Sequence, residues 1–292
     1  MALASGARLT SSGLGRRFEG VRLASAGSRF TIYEARERWA DRAVAIKVPV
    51  RSAAPWVHDQ LDHEATVLAA IGSHPHVITL YERITLDDSR PGLVLERCPA
   101  TLDDSLGAHT RVALPDAISL GIKLAGALET MHDVGVIHGD VRPHNVLVTV
   151  WGEPVLAGFD ESVRLGGDPS GIGHPPLHVT TAHTAPEVLE GGIPTPASDV
   201  YGLASTLYEL VAGRAAFRAY AGESSAAVIV RVLSNPVRPI VNPAVPLELS
   251  DLLTWAMTTD PARRPPSPAW LAEGLGRVQS RQGYPRTKMI VA

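Results

Sequence analysis

Residues 138–148, which read HGDVRPHNVLV, constrain the fold more than any other stretch of the chain. They place the carboxylate of Asp140 and the amide of Asn145 five residues apart in a short turn, directly before an apolar run rich in β-branched residues. A second short stretch, LAGFD at 156–160, follows. Phosphoryl transfer requires a carboxylate for the incoming hydroxyl and an amide oxygen for a metal. The sequence therefore predicts a folded turn that carries this chemistry.

The composition argues against several classes of protein. With 292 residues, 45% of them apolar and 20% charged, the chain can bury a substantial core in one domain or in two lobes. Its net charge of −3 gives no basic excess for nucleic acid, and no apolar run is long enough to span a membrane. The N-terminal stretch lacks the apolar core of a signal peptide, and the single cysteine, Cys98, suits a reducing compartment. We therefore expect a cytoplasmic protein that contacts neither membrane nor nucleic acid.

Hydrophobic periodicity predicts a β-rich first part and a helical second part. The β-rich passages are 18–35, 43–50, 77–80 and 93–96, and a helix is predicted over 57–71. Further helices are predicted over 115–134, 197–212, 222–234, 248–258 and 267–280. Residues 1–17 are interpreted as a disordered leader, 161–184 as a loop, and 281–292 as a tail that we expect to be frayed. The predicted fold class is α+β.

Several motifs resemble those of a Hanks-type Ser/Thr protein kinase domain. The stretch at 138–148 resembles the catalytic loop H-R-D-x-x-x-x-N of that family, and GFD at 158–160 occupies the place of its D-F-G motif. VAIK at 44–47 resembles the third strand, and APE at 185–187 matches the A-P-E motif. The resemblance covers residues 18–280 and is greatest to bacterial kinase domains that precede a transcriptional regulator.

The resemblance implies an α+β, bilobal protein kinase-like fold, with an N-lobe at 18–97 and a C-lobe at 98–280. It also implies two structural roles in the larger lobe. Glu187 of the A-P-E motif would form a buried ion pair with Arg264, and Asp199 would brace the catalytic loop. Thr180 matches a threonine that contacts catalytic-loop side chains in Ser/Thr kinases, which favours that class over tyrosine kinases.

Four candidate catalytic residues follow from the resemblance. Lys47 matches the lysine that holds the α- and β-phosphates of ATP, and Glu64 on the next helix matches its ion-pair partner. Asp140 matches the catalytic base, and Arg142 stands where most Ser/Thr kinases have lysine. Because the chain has only three lysines, a lysine at this place is informative. The alternative for Lys47 is a surface position on an edge strand.

Other positions resemble the family's ATP-binding residues. In the glycine-rich loop, Ser25, Gly27 and Phe30 fall at the three glycine places, so only one glycine is kept. Glycine lets the backbone approach phosphates closely, so its loss predicts weakened phosphate binding. The remaining candidate ATP-binding residues are Ile32, Ala45, Lys47, Leu95, Glu96, Cys98 and Leu147. For the apolar ones, a role confined to the protein core is the alternative.

The metal-binding residues depart most from the family. Asn145 matches the amide that binds Mg²⁺, but Gly158 stands at the place of the D-F-G aspartate, which removes one ligand and one negative charge. Asp160 would have to reach back roughly 6–7 Å to replace it, judged from the rise of an extended chain, unless the loop changes register. Gly139 replaces an arginine that normally pairs with a phosphate on the activation segment, which speaks against switching by phosphorylation of that loop.

Three functions remain open on the sequence. The first is a pseudokinase or impaired kinase that binds ATP weakly, with weak use of Mg²⁺, and acts through contacts with a protein partner. The second is an active Ser/Thr protein kinase that uses Asp160 for the metal and transfers the γ-phosphate of ATP to protein hydroxyls. The third is a small-molecule phosphotransferase, whose family also uses His-Gly-Asp with a following Asn. The A-P-E match, Asp199 and Arg264 speak against this third function.

Overall fold

The computed structural model describes residues 17–107, 112–165 and 182–292, and these form two compact units. The first contains the described residues up to Ala69 together with Ile78–Cys98, and the second contains Ala70–Val77 and the described residues from Pro99 onward. The first is mainly strand and the second mainly helix, so the predicted α+β division is confirmed. In these ranges, every helix is too short or too polar to cross a membrane.

A five-stranded antiparallel sheet forms the first unit. Its strands are β1 (Phe18–Ala26), β2 (Phe30–Glu37), β3 (Arg42–Pro49), β4 (Leu80–Thr85) and β5 (Pro91–Glu96). They lie in the order β1-β2-β3-β5-β4. Because side chains alternate along a strand, Val44, Ile46 and Val48 of β3 share one face, where they pack with Phe18 and Tyr33 in a buried cluster. The helix α1 (Pro55–Ile71) follows β3 in the chain.

Helices dominate the second unit. Its described helices are α2 (Leu102–Gly107), α3 (Leu114–Asp133), α4 (Pro186–Leu189), α5 (Pro196–Ala212), α6 (Ser225–Ser234), α7 (Leu247–Ala256) and α8 (Pro268–Arg281). Its short strands are β6 (Ala100–Thr101), β7 (Val136–Ile137), β8 (Val146–Val148), β9 (Pro154–Leu156) and β10 (Val163–Arg164). The strands pair as β6-β8-β9 and as β7-β10, and α3 packs against both α5 and α8.

The long elements agree with the sequence predictions, and the short ones differ. The first β-rich passage contains two strands, and the passage predicted at 77–80 contributes only Leu80 to β4. Arg17 is the first described residue, and its guanidinium contacts the carboxylates of Glu37 and Glu82. The rest of the predicted leader, most of the predicted loop at 161–184, and Thr180 lie outside the described residues.

The tail is held against the second unit, so the expectation that it is frayed is wrong. The amide of Ala292 donates to Oγ1 of Thr130 on α3 at 3.1 Å, and Nε2 of His74 donates to the carbonyl of Ile290 at 3.1 Å. Gly126 allows this approach, because a Cβ on it would overlap the carbonyl oxygen of Ile290. A segment without periodicity is thus fixed by partners far away in sequence.

Candidate functional site

Lys47 and Glu64 form the ion pair that the sequence predicts. Nζ of Lys47 lies 2.6 Å from Oε2 of Glu64, and the two residues are 8% and 1% exposed. Lys47 follows Ile46 in β3, so strand alternation directs its side chain away from the buried β-branched cluster. Removing either partner would leave a buried charge uncompensated, so each side chain holds the other in place.

Strand register gathers the candidate ATP-binding residues of the first unit on one face of the sheet. Ile32 of β2 is paired with Lys47 of β3, and on its other side with Ser25 of β1. Ala45 of β3 is paired with Leu95 of β5. Directly opposed residues of antiparallel strands point to the same face, as do residues two apart in one strand. These five side chains therefore share the face opposite the buried cluster.

Between β1 and β2, the loop keeps a single glycine and adds an aromatic ring. The amide of Gly27 donates to the carbonyl of Phe30 at 2.9 Å, which closes a tight turn. At the third glycine place, the ring centre of Phe30 lies 4.4 Å from Nζ of Lys47, a cation–π distance. An aromatic side chain therefore stands beside the ammonium group to which the resemblance assigns the phosphates.

The other candidate ATP-binding residues lie in separate segments. Glu96, at the end of β5, accepts a hydrogen bond from Oγ1 of Thr79 at 3.1 Å. Cys98 is half-buried, and this burial raises the pKa of its thiol to about 12, with a further contribution from the charge of Glu96. Leu147 belongs to the second unit, where it is the half-buried middle residue of β8.

Cys98 is expected to resist alkylation in the native protein. The thiolate is the nucleophile, and a thiol with a pKa of about 12 is ionised in only about one molecule in ten thousand at about pH 8. Labelling with iodoacetamide, followed by mass spectrometry, should be at least about a hundredfold slower in buffer than in urea, where the thiol has its ordinary pKa. As the only cysteine, Cys98 is the sole thiol that can react. Equal labelling rates in the two solvents would contradict this expectation.

The turn at 138–148 brings Asp140, Arg142 and Asn145 together. A short 3-10 helix, Pro143–Asn145, folds the amide of Asn145 back onto Asp140. Nδ2 of Asn145 donates to the carbonyl of Asp140 at 2.8 Å and to its carboxylate oxygen Oδ2 at 2.6 Å. Nε of Arg142 lies 3.2 Å from the same Oδ2. An amide and a guanidinium of its own turn therefore hold the carboxylate of Asp140.

A buried carboxylate on α5 fixes the beginning of this turn. Asp199 is 1% exposed and accepts hydrogen bonds from the backbone amides of His138 and Gly139, each at 2.9 Å. Nε2 of His132, in the last turn of α3, is a third partner at 2.8 Å. This arrangement is the one that the resemblance implies for Asp199. His132 is an addition that the motifs do not indicate, because its partner is distant in sequence.

Gly158 has a left-handed backbone, and the side chain of Asn145 packs directly on it. Its φ is 78° and its ψ is 50°. A Cβ built on Gly158 would lie 2.5, 2.6 and 2.9 Å from Oδ1, Cγ and Nδ2 of Asn145. The following residue, Phe159, is fully buried with its ring centre 4.9 Å from that of His138. The apolar packing at the D-F-G place is therefore kept, whereas the space beside Gly158 is filled by the side-chain amide of Asn145.

Arg264 and Glu187 form the predicted buried ion pair. Nη1 and Nη2 of Arg264 donate to the two carboxylate oxygens at 2.8 and 2.7 Å. The other guanidinium hydrogen bonds go to the backbone carbonyls of Ala197, Thr258 and Thr259. All five N–H donors of the guanidinium therefore have an acceptor. This pair joins the beginning of α4 to the segment before α8.

Comparison with known proteins shows the family. The protein kinase domain family matches residues 22–273, which include most of both units and every candidate catalytic residue. The chain belongs to the protein kinase domain family. It is a bacterial Hanks-type Ser/Thr kinase domain, and the predicted α+β bilobal kinase fold is thereby confirmed.

Bacterial Ser/Thr kinases are among its relatives. The chain is 34% identical over 267 residues to the serine/threonine-protein kinase PknK of Mycobacterium tuberculosis. The aligned stretch covers 91% of this chain and 24% of PknK. It is 33% identical over 258 residues to the probable serine/threonine-protein kinase CPE1738 of Clostridium perfringens. That alignment covers 86% of this chain and 36% of the relative. It is 26% identical over 257 residues to the serine/threonine-protein kinase PrkC of Bacillus subtilis, in an alignment that covers 85% of this chain and 38% of PrkC. The chain therefore spans well under half the length of these relatives.

As a kinase domain, the chain would be expected to bind Mg²⁺ together with ATP. Its candidate metal ligands are Asn145, whose amide is engaged by Asp140, and Asp160, which is half-buried in the 3-10 helix Phe159–Glu161. In the part of the chain that the structure describes, no three His, Cys, Asp or Glu side chains are grouped so that they could hold a metal ion. With glycine at position 158, these residues do not fit a magnesium site built on two carboxylates.

His183 is a further residue of this region that the motifs do not indicate. Its Nε2 lies 2.9 Å from a carboxylate oxygen of Glu209, and its Nδ1 lies 2.9 Å from Oγ of Ser205. Both partners are on α5, four residues apart, so they lie on one face of that helix. His183 stands two residues before Ala185, so it fastens the beginning of the A-P-E segment to α5. No sequence motif or residue spacing around His183 predicts this contact.

Proposed function

We propose that this chain is a Ser/Thr protein kinase-like domain with impaired phosphoryl transfer, a pseudokinase that binds ATP weakly and acts through protein contacts. The observation that carries the proposal is the environment of Gly158. A carboxylate there would contribute negative charge for a magnesium ion, and glycine contributes none. The amide head of Asn145 fills the adjacent space and donates to Asp140. In the second unit, the candidate metal ligand Asn145 is thus engaged in an intramolecular hydrogen bond.

The candidate phosphate-binding residues of the first unit support the same proposal. Two of the three glycine places in the β1–β2 loop carry side chains, Ser25 and Phe30. The ring of Phe30 lies beside the ammonium group of Lys47, which is already paired with Glu64. Phosphates would have to compete with an aromatic face and a buried carboxylate for this cation. We therefore expect weak binding of the triphosphate.

The candidate base-binding residues of the first unit support retained nucleotide binding. Ile32, Ala45 and Leu95 share one sheet face with Lys47, as their strand pairing shows. An apolar surface beside a few polar groups is the usual environment for a small aromatic ligand. We therefore propose that the adenine base, rather than the phosphates, contributes most of the affinity. A cytoplasmic location is also proposed, because a single cysteine suits a reducing compartment.

A titration of ATP in a thermal-shift assay, with Mg²⁺ and with EDTA, tests the proposal. We expect a small rise in melting temperature that is the same in both buffers, because ligand stabilisation follows occupancy of the native state. Lys47→Met should lower the rise only in part relative to its own baseline, because we propose that the base contributes most of the affinity, and Asp140→Asn should leave it unchanged. A large rise that requires Mg²⁺, together with phosphate transfer that Asp140→Asn abolishes, would refute impaired transfer.

The second candidate is an active Ser/Thr protein kinase in which Asp160 provides the metal carboxylate. The favouring observation is that Asp160 lies in the 3-10 helix directly after buried Phe159, within the same short segment as Gly158. If this candidate is correct, Asp160→Asn should lower the rate of transfer at least about a hundredfold while the unfolding midpoint stays the same. An unchanged rate would exclude this use of Asp160. The remaining candidate, a small-molecule phosphotransferase, is disfavoured by the Glu187–Arg264 pair.

A further inference from the structure

A cavity of about 680 Å³ lies between the C-terminal half of α8 and the tail, and none of its lining residues is a candidate kinase-site residue. Four cationic side chains line it: Arg277 and Arg281 from α8, and Arg286 and Lys288 from the tail. Among the described residues, Glu273 is the only carboxylate in its lining. The volume is within the range of pockets that hold small molecules. The charge of the lining is opposite in sign to the net charge of the chain, which is −3.

The positive charge of this cavity is only partly compensated by the protein. Arg277 reaches Glu273 only at 4.0 Å, and Arg281 contacts Glu248. Arg286 and Lys288 have no ion-pair partner among the residues that the structure describes. The other two lysines of the chain, by contrast, are paired with glutamates. Four cations that share one concavity repel one another, and an anion bound among them would relieve this repulsion.

The tail residues that line the cavity are fixed in place. Gln279 of α8 is 2% exposed, and its side chain forms two hydrogen bonds with Thr287. Nε2 of Gln279 donates to Oγ1 of Thr287 at 2.8 Å, and the amide of Thr287 donates to Oε1 at 3.1 Å. Thr287 lies between Arg286 and Lys288 in sequence, so its anchoring holds the backbone that bears both cations. Less conformational entropy is then lost when these side chains bind a ligand.

We propose that this cavity binds a small anion that carries two or more adjacent phosphate groups. Guanidinium groups bind phosphate oxygens through two parallel hydrogen bonds, and three arginines with one lysine match the charge of such an anion. A single phosphate would use only part of the lining. A nucleic acid would need a longer basic track, whereas these cations surround one concavity. The site does not depend on the proposed pseudokinase function.

Isothermal titration of the whole chain with inorganic triphosphate, at about 50 mM salt, tests the proposal. The informative variant is the double substitution Arg286→Gln/Lys288→Gln, which removes two exposed charges without touching a buried contact. Its matched control is Arg214→Gln/Arg238→Gln, which removes two exposed arginine charges of the same unit outside the cavity. We expect the first variant to weaken binding at least about tenfold and the control less than about twofold.

Several outcomes would overturn the proposal. These are no binding of triphosphate by the unaltered chain, an undiminished affinity in the Arg286→Gln/Lys288→Gln variant, or an equal loss in the control variant. Binding of inorganic phosphate as tight as that of triphosphate would exclude recognition of adjacent phosphates. If a single-stranded oligonucleotide binds more tightly than triphosphate, and this binding is lost in the same variant, the ligand of the cavity is nucleic acid rather than a small anion. Circular dichroism of both variants checks that each is folded.

Discussion

Replacing Arg264 with methionine is expected to lower the free energy of unfolding by about 3–5 kcal/mol. The side chain of Arg264 is fully buried, and it donates to both carboxylate oxygens of Glu187 and to three backbone carbonyls. Methionine has a similar length but donates no hydrogen bond. The substitution would therefore leave a carboxylate and three carbonyls without their partner in a place that water reaches poorly.

A urea unfolding titration, monitored by circular dichroism, measures this loss in the free energy of unfolding. Arg281→Gln is the matched control, because its ion pair with Glu248 is exposed and is expected to contribute less than about 1 kcal/mol. The double variant Arg264→Met/Glu187→Leu should be less destabilised than the sum of its two single variants, because no buried charge remains unpaired. A loss below about 1 kcal/mol for Arg264→Met would contradict a stabilising role for the pair.

The helices of the second unit could be predicted closely because their signals are local. Helix α5 begins at Pro196, where Thr195 and Ser198 form a capping box, and it ends before Gly213, whose φ is 74°. The apolar spacing between these ends requires no knowledge of the rest of the chain. The ion pairs Lys47–Glu64 and Glu187–Arg264 were also predictable, but only because the motifs resemble a known family. Their spacing in sequence alone does not indicate contact.

Contacts between distant polar residues that no family motif marks were not predictable. The tail carries no periodicity, and its position depends on the absence of a side chain at Gly126, in the middle of α3. His183 is joined to Glu209, and His132 is joined to Asp199, through ring nitrogens that no local pattern marks. Polar hydrogen bonds of this kind are specified by geometry in three dimensions. A single sequence contains no signal for them.

The consequence of Gly158 is likewise only partly visible in the sequence. The motif reveals that a carboxylate is missing, but it does not reveal what lies in its place. The amide of Asn145 packs on Gly158 and donates to Asp140, so two candidate site residues bind each other. Restoring the carboxylate therefore also requires this amide to rotate away. The repair has a structural cost as well as an expected gain.

Gly158→Asp is expected to raise the affinity for ATP in the presence of Mg²⁺ by about tenfold or more, since it returns a carboxylate ligand and its charge. It is also expected to destabilise the chain by roughly 1–2 kcal/mol, because a φ of 78° is unfavourable for a residue with a Cβ. Aspartate tolerates this backbone better than most residues. Thermal-shift titrations with ATP, in Mg²⁺ and in EDTA, measure the affinity, and urea unfolding measures the stability.

Gly158→Asn is the decisive control for this repair. Asparagine has nearly the shape of aspartate and tolerates the same backbone, but it carries no charge. Both variants displace the amide of Asn145, so only a gain confined to Gly158→Asp is caused by the carboxylate. If neither variant gains affinity that depends on Mg²⁺, the principal defect is elsewhere, and the ring of Phe30 beside Lys47 is the next feature to change. A gain in Gly158→Asp/Phe30→Gly alone would then show that the two departures act together.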